Sequence, residues 1–390
     1  MHLTKNQEKM LSGEEGPALQ KAMEILVALG DIYDADGLIP IHSAHVSGIS
    51  LRTSGEAGLK FVENLADKGA EVYAHTTINP TGIDLESWEE LGAPKDLVDK
   101  QRRMIDAYER MGAEPICSCV PYLTGNRPSF GKHLAWAESS AVVFANSVLG
   151  ARTNREGAPS ALASALTGLT PLHGYHLDEN RQGTVEIEPN LELLQGEETF
   201  PYSVLGYWIG ENFPESVPVL KGVKPNPAQL KAMGAGMAAS GAIALYHIPD
   251  VTPEAEADPS ICEVGESAGF ESSDFEDVVD KLDQISEADL VCVGCPHFSL
   301  EELEKMPDSV EGETWVCLPR KLKRESDEKG LSKKFEGKKI RFVCDTCMVV
   351  APLREMGYSS IGVNSAKAAH YAPMLAGVKV HFAPLKELIK

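Results

Sequence analysis

Six of the eight cysteines in this chain stand in three tight pairs, Cys117 with Cys119, Cys292 with Cys295, and Cys344 with Cys347. Thiols at that spacing serve metal or iron–sulfur ligation, redox exchange or plain packing, because a free cysteine also behaves as a small buried hydrophobe. One thiolate from each pair, three in all, suits an iron–sulfur cluster with one iron left open. Plain packing is the main competitor, ahead of a structural zinc on two Cys-x-x-Cys pairs. Against zinc, 48 residues lie between Cys295 and Cys344, longer than a zinc-ribbon spacing, and the flanks are strand-like. Spacing alone leaves the cluster, zinc, redox and packing readings open.

The elements that must position these thiols are written in the residues before them. Short apolar runs precede each pair: Pro115-Ile116, Leu290-Val291, and Phe342-Val343. Such runs predict buried strands, with the last cysteine of each pair where strand gives way to loop. In an open α/β sheet that carboxyl end is where ligands bind. Helical patterns are expected over residues 3–30, 56–68, 96–111 and 134–149, and strands over 37–42 and 70–75. Alternation at this spacing predicts parallel α/β layers. Residues 1–170 read as a first α/β region, 171–224 as a crossover with few clean periods, and 225–390 as a second α/β region.

Polar residues at strand and helix ends supply further candidates. His45, Ser47 and Gly48 close an early strand with small groups that let backbone approach a ligand. Glu138, Ser139, Ser140 and Asn146 put polar groups on an otherwise apolar stretch, with the serines and Asn146 as the candidate contacts. Arg152 and Arg155 crowd two guanidiniums into one turn, a form suited to carboxylate or phosphate. Lys224 and Lys367 are further candidates for holding an anion. Two motif-like strings are rejected. Gly125–His133 is too long for a phosphate loop and lacks the hydroxyl after Lys132, and Gly234–Ala239 follows a helical pattern where a dinucleotide fingerprint needs a strand. The His42/His45 and His173/His176 pairs lack the carboxylates that would make them convincing metal ligands.

Composition narrows the function classes. The chain has 390 residues, 43% of them hydrophobic, and a formal charge of −22. That charge argues against nucleic-acid binding, which needs a basic face. Thirteen acidic residues against Lys281 fall between Val251 and Leu290, a pattern expected of a solvated surface and helix. No apolar run is long enough for a membrane span, and the amino terminus lacks the apolar core of an export signal. A cytoplasmic protein with reduced cysteines is expected.

Taken in order, Met10–Glu14, Ala44–Gly48, Asn79–Gly82, Cys119–Tyr122, Glu138–Ala141, Gly294–His297 and Cys344–Cys347 resemble the large subunit of aconitase X, especially its stand-alone archaeal form. The resemblance covers essentially the whole chain. It implies an aconitase-like α/β fold of two or three doubly wound domains around a central cleft that holds a 4Fe–4S cluster. Cys119, Cys295 and Cys347 match the cluster positions best, with Cys117, Cys292 and Cys344 as neighbours inside strands. The Asn79 segment joins the expected substrate contacts. The family's swivelling domain is expected on a small partner subunit, which would also supply the catalytic base as a serine. Archaeal members dehydrate 5-phosphomevalonate to trans-anhydromevalonate 5-phosphate, and that activity is implied here. Dehydration of cis-3-hydroxy-L-proline, as in bacterial relatives, and a non-catalytic metal-bearing scaffold are the alternatives.

Overall fold

The computed structural model describes residues 1–307 and 310–389. Its amino-terminal segment forms two helices where one long pattern was expected, Lys5–Ser12 and Pro17–Ile32. Gly13 takes up a left-handed conformation that ends the first, and Pro17 starts the second. Five strands follow: β1 (Leu38–Pro40), β2 (Ser43–Ser47), β3 (His75–Asn79), β4 (Leu134–Trp136) and β5 (Leu169–Pro171). β1 pairs antiparallel with β5, and β3-β2-β4 form a parallel sheet. Two expectations shift here. The strand expected over 70–75 begins only at His75, where Thr76, Thr77 and Ile78 supply β-branched residues. The expected helix over 134–149 is a strand, β4, then a helix from Ser139 to Ser147. The helix expected over 56–68 is present and ends at Asp67; a short helical turn from Leu51, capped by Ser50, precedes it and is set off by a kink at Gly55, whose φ is 62°.

The middle of the chain builds a second parallel sheet from β6 (Val185–Pro189), β7 (Pro218–Leu220) and β8 (Ser267–Phe270), in the order β7-β6-β8. The stretch read as a crossover contains the helix Phe200–Asn212. Its period was hidden because it is apolar nearly all round, packed against the helix Pro227–Gly241 and the last sheet's helices. Gly234–Ala239 lies inside that second helix, as its pattern implied.

The last third is a five-stranded, wholly parallel sheet: β9 (Leu290–Val293), β10 (Thr314–Leu318), β11 (Ile340–Cys344), β12 (Ser360–Val363) and β13 (Lys379–Phe382). The strand order is β11-β10-β9-β12-β13. The order reverses between β9 and β12, so the crevice for a ligand opens beyond the carboxyl ends of those two strands. Cys295 follows β9, and Ser365 and Lys367 follow β12. Among the described residues, no helix is long and apolar enough to cross a membrane.

Candidate active site

Two of the three cysteine segments stand as their strands predict. Cys292 is buried within β9 and Cys344 ends β11, leaving Cys295 and Cys347 in the loops beyond. Gly294 makes the first loop possible. With φ at 95°, its α-carbon passes so close to β10 that a Cβ there would sit 2.1 Å from the Cys317 carbonyl oxygen. The first segment departs from expectation. Residues 115–118 form no strand, Glu114 makes only an isolated bridge to Thr77, and Cys117 has a φ of 44°. Pro115 lacks the donor a strand would need, which accounts for the break.

Cys119 is held by bonds rather than by a sheet. The backbone N–H of His297 donates to Cys119 Sγ at 3.2 Å. The ring of the same histidine lies 3.0 Å from Ser118 Oγ through Nδ1 and 2.9 Å from the Thr346 carbonyl through Nε2. The Thr346 carbonyl can only accept, so Nε2 carries the hydrogen and Ser118 donates to Nδ1. One buried side chain thus stitches the Cys119, Cys295 and Cys347 segments together. Behind it, Lys231 Nζ donates to the His297 carbonyl at 2.8 Å and pairs with Glu302 at 2.5 Å. The Cys347 loop is also tied to the first region. Its N–H donates to the Thr81 carbonyl at 3.0 Å, and Thr81 N–H returns a bond to Asp345 at 3.2 Å. At Gly82 next to Thr81, a Cβ would stand 2.7 Å from the Val350 carbonyl.

The three thiols sit in one electrostatic environment. Burial pushes Cys119 and Cys347 up to about 12 and Cys295 to about 11. The charge of each thiolate would raise another of the three, Cys119 on Cys295, Cys295 on Cys347 and Cys347 on Cys119, as expected of segments that His297 ties together. Lys367 pulls all three down, and each has a donor: His297 N–H, Ser365 and the Val349 backbone in turn. Thiols so placed become ligands by losing protons to a metal, which such donors and a nearby cation favour. All eight cysteines are free. No group of three His, Cys, Asp or Glu side chains closes on a single ion among the described residues. A cluster is several atoms across and calls for wider-set sulfurs than one zinc with bonds of about 2.3 Å.

Lys367 lies in the first turn of the helix Ala366–Leu375, the end where the helix dipole disfavours a cation. Its compensation is Glu138, whose Oε1 is 2.5 Å from Lys367 Nζ. Burial alone would push the Glu138 carboxyl up; the Lys367 charge and hydrogen bond, with help from His45 and Ser140, hold it near 2 instead. Burial works against the Lys367 charge as well, but Glu138 and the thiols keep it well above the usual lysine range. Asn79 Nδ2 donates to Glu138 Oε2 at 2.8 Å, Ser47 Oγ at 3.2 Å, and Ser140 Oγ to Oε1 at 3.1 Å. His45, Ser47, Asn79, Ser140 and Lys367 are therefore brought to one centre with the cysteines. Gly48 closes the same strand, its N–H on the Asn79 carbonyl at 3.0 Å, and Ser139 opens the helix that follows Glu138.

The other candidates stand elsewhere. Asn146 is buried with its amide engaged by Thr153 and the Ala244 carbonyl, so its observed role is to hold a turn. Arg152 pairs with Asp178 and reaches the His176 carbonyl at 3.2 Å. Arg155 is exposed beside Trp136 at the carboxyl end of β4, and Lys224 is exposed in the loop after β7. Neither has an ion-pair partner among the described residues. Sequence reasoning passed over Glu138 and His297 as site residues. A lone carboxylate in the apolar stretch 134–149 was the signal for the first; His297 had none beyond its place after Cys295.

Family models described as Aconitase X first, second and third domain match residues 1–179, 183–280 and 288–390. The phosphomevalonate dehydratase large subunit of Methanocaldococcus jannaschii is 44% identical, covering 100% of both chains. That of Thermococcus kodakarensis is 42% identical over 100% of this chain and 99% of its own length. The cis-3-hydroxy-L-proline dehydratase of Pseudomonas aeruginosa is 36% identical over 97% of this chain and 67% of its own. A crystal structure of Thermococcus kodakaraensis aconitase X in its holo-form superposes with a TM-score of 0.91 at 40% identity, covering 100% of this chain and 99% of that one.

Proposed function

This chain belongs to the aconitase X family, and we propose that it is the large subunit of a hydro-lyase that dehydrates 5-phosphomevalonate to trans-anhydromevalonate 5-phosphate. The observation that supports the hydro-lyase reading is the tying of the three cysteine segments by His297, in a site with the buried Lys367–Glu138 pair. The choice of substrate rests on likeness to the archaeal large subunits, four of them 42–44% identical.

Cys119, Cys295 and Cys347 would hold a 4Fe–4S cluster by three thiolates. When bound, such a cluster supplies a Lewis acid for a departing hydroxyl. The reaction breaks the C–H bond alpha to the carboxylate and the C–O bond at the tertiary carbon, forms the C=C bond and releases water. The chain's own residues bind and orient. Lys367, fixed by Glu138, presents a desolvated cation beside the thiols, suited to a carboxylate; Ser47, Asn79 and Ser140 surround it with hydrogen-bonding groups. Arg155 and Lys224 are the exposed cations available to a phosphate. The base that removes the proton is assigned to a small partner subunit, because no residue of this centre is an unengaged base.

The test is anaerobic reconstitution with an aconitase-X-type small subunit, offering 5-phosphomevalonate and cis-3-hydroxy-L-proline side by side. Turnover of 5-phosphomevalonate by the pair, and none by the large subunit alone, is expected. Turnover of hydroxyproline only would move the chain to the other branch of the family. A colourless protein with stoichiometric zinc would overturn the cluster.

A further inference from the structure

Around β2 and β3, three buried polar atoms have no hydrogen-bond partner among the described residues: His45 Nε2, Asn79 Oδ1 and, on the neighbouring Asn126, Oδ1. What each can do follows from its neighbours. Asn126 turns Nδ2 toward the Ala44 carbonyl at 3.1 Å and toward Thr77 Oγ1 at 3.0 Å. A flipped amide would set oxygen against the Ala44 carbonyl, so Asn126 is the donor and the Thr77 hydroxyl accepts from it. Thr77 lies opposite His45 in the β2–β3 register, its Oγ1 2.7 Å from His45 Nδ1. That nitrogen is the only acceptor within reach of the Thr77 hydroxyl proton among the described residues. A buried hydroxyl without an acceptor is costly, so Thr77 donates to Nδ1 and the ring hydrogen sits on Nε2. Asn79 is oriented in the same way: its Nδ2 is committed to Glu138, which leaves Oδ1 free to accept.

We propose that Thr77 and Asn126 lock His45 as the Nε2–H tautomer, and that His45 is a fixed hydrogen-bond donor to an oxygen of the bound hydroxy acid, with Asn79 Oδ1 as the acceptor beside it. The identity of the bound acid rests on the dehydratase reading; the tautomer does not. His45 cannot be the base in this arrangement, because its lone pair at Nδ1 is engaged by Thr77. Burial outweighs the Glu138 charge and the Thr77 backbone carbonyl, both of which favour protonation, and holds the ring's pKa down to about 4, so it stays neutral near pH 7. A neutral imidazole N–H aimed at developing negative charge is an established electrophilic device. Thr77 and Asn126 are positioning residues that act through His45.

The test uses the full chain, reconstituted and paired with its small subunit, carrying ring-¹⁵N histidine. The His45 signals are assigned by their loss in His45→Gln. An unprotonated Nδ1 and a protonated Nε2 are expected, and adding 5-phosphomevalonate should shift the Nε2–H resonance. A ring protonated at Nδ1, or on both nitrogens at neutral pH, overturns the lock. An Nε2–H signal that ignores substrate overturns the donor role and leaves a buried water as its partner. In kinetics, His45→Leu should lower kcat about 100-fold, the scale for losing one preorganised donor. His45→Gln keeps an N–H near the same point and should lose less; equal loss in the two variants overturns a donor. Thr77→Val should disturb the tautomer and lower kcat, and Thr77→Ser should restore both. Absence of 5-phosphomevalonate turnover in the wild-type pair condemns the dehydratase reading while the tautomer stands. An Nδ1–H ring in a working enzyme condemns only this proposal.

Discussion

Cys295 and Cys347 leave the carboxyl ends of β9 and β11, two strands of one parallel sheet with β10 between them, whereas Cys119 sits in a stretch with no strand of its own. The first two are placed by topology: any chain that forms this sheet puts the ends of those strands on one edge. Cys119 is placed by particular bonds, chiefly those of His297 to its sulfur, to Ser118 and to the Thr346 carbonyl. The proposed ligand set, split in this way, would depend on the sheet for two members and on a few side chains for the third. The two kinds of placement should therefore fail differently.

The largest effect should come from the thiols themselves. Cys119→Ser, Cys295→Ser and Cys347→Ser should each abolish iron retention, measured as iron and sulfide content after anaerobic reconstitution. Cys262→Ala and Cys317→Ala, outside the three pairs, should retain it. Full iron in Cys295→Ser would remove the common centre and the comparison with it.

Next comes Lys367, which stands on the topological side and reaches across to Glu138. Lys367→Met leaves a buried carboxylate unpaired and should cost about 3–5 kcal/mol in urea unfolding, with Glu138→Gln losing less when added to it than alone. The pH dependence has a definite sign. Glu138 titrates near 2 when folded, against about 4.3 for an unperturbed glutamate. Its stabilisation is fully present above about 4.3 and is lost as pH falls toward 2. The gap between wild type and Lys367→Met should narrow below pH ~4, by up to ~1.4 kcal/mol per pH unit. A constant gap between pH 5 and 3.5 would contradict the depressed carboxyl.

His297→Ala attacks the bonded side alone. It leaves the Ser118 hydroxyl proton without an acceptor and the Thr346 carbonyl without the ring donor, while Ser118 Oγ still accepts from Val120 N–H, and should cost about 2–3 kcal/mol. In the metal-free chain, iodoacetamide should label Cys119 faster in this variant while Cys295 keeps its wild-type rate. Equal acceleration at both cysteines would mean that His297 supports the whole sheet edge. The smallest effects belong to the exposed cations. Arg155→Ala and Lys224→Ala should change stability by less than about 0.5 kcal/mol, yet raise KM for a phosphorylated substrate if either holds the phosphate.

Residues 288–390 were the most legible part of the chain. Buried parallel strands are written as short apolar runs, and those ending in Val293 and Cys344 appear where the runs predict them. The first region was less legible for local reasons. Leu134-Ala135-Trp136 is too short to announce a strand beside an apolar helix, and Pro115 broke the strand expected before Cys117. The helix Phe200–Asn212 gave no period because both of its sides are covered.

By itself, the sequence determined the α/β character and the placing of Cys295 and Cys347 just beyond their strands, since each follows from residue type and short-range period, and it marked the three cysteine segments as candidate sources of ligands. Only the tertiary structure decided that His45, Ser47, Asn79, Glu138 and Lys367 share one centre, that His297 ties Cys119 to the other two segments, and which histidine nitrogen carries the hydrogen. These depend on residues 32 to 229 positions apart meeting in a buried site. There a hydrogen bond or an ion pair has consequences that no local pattern records, because burial removes the water that would otherwise satisfy each group alone.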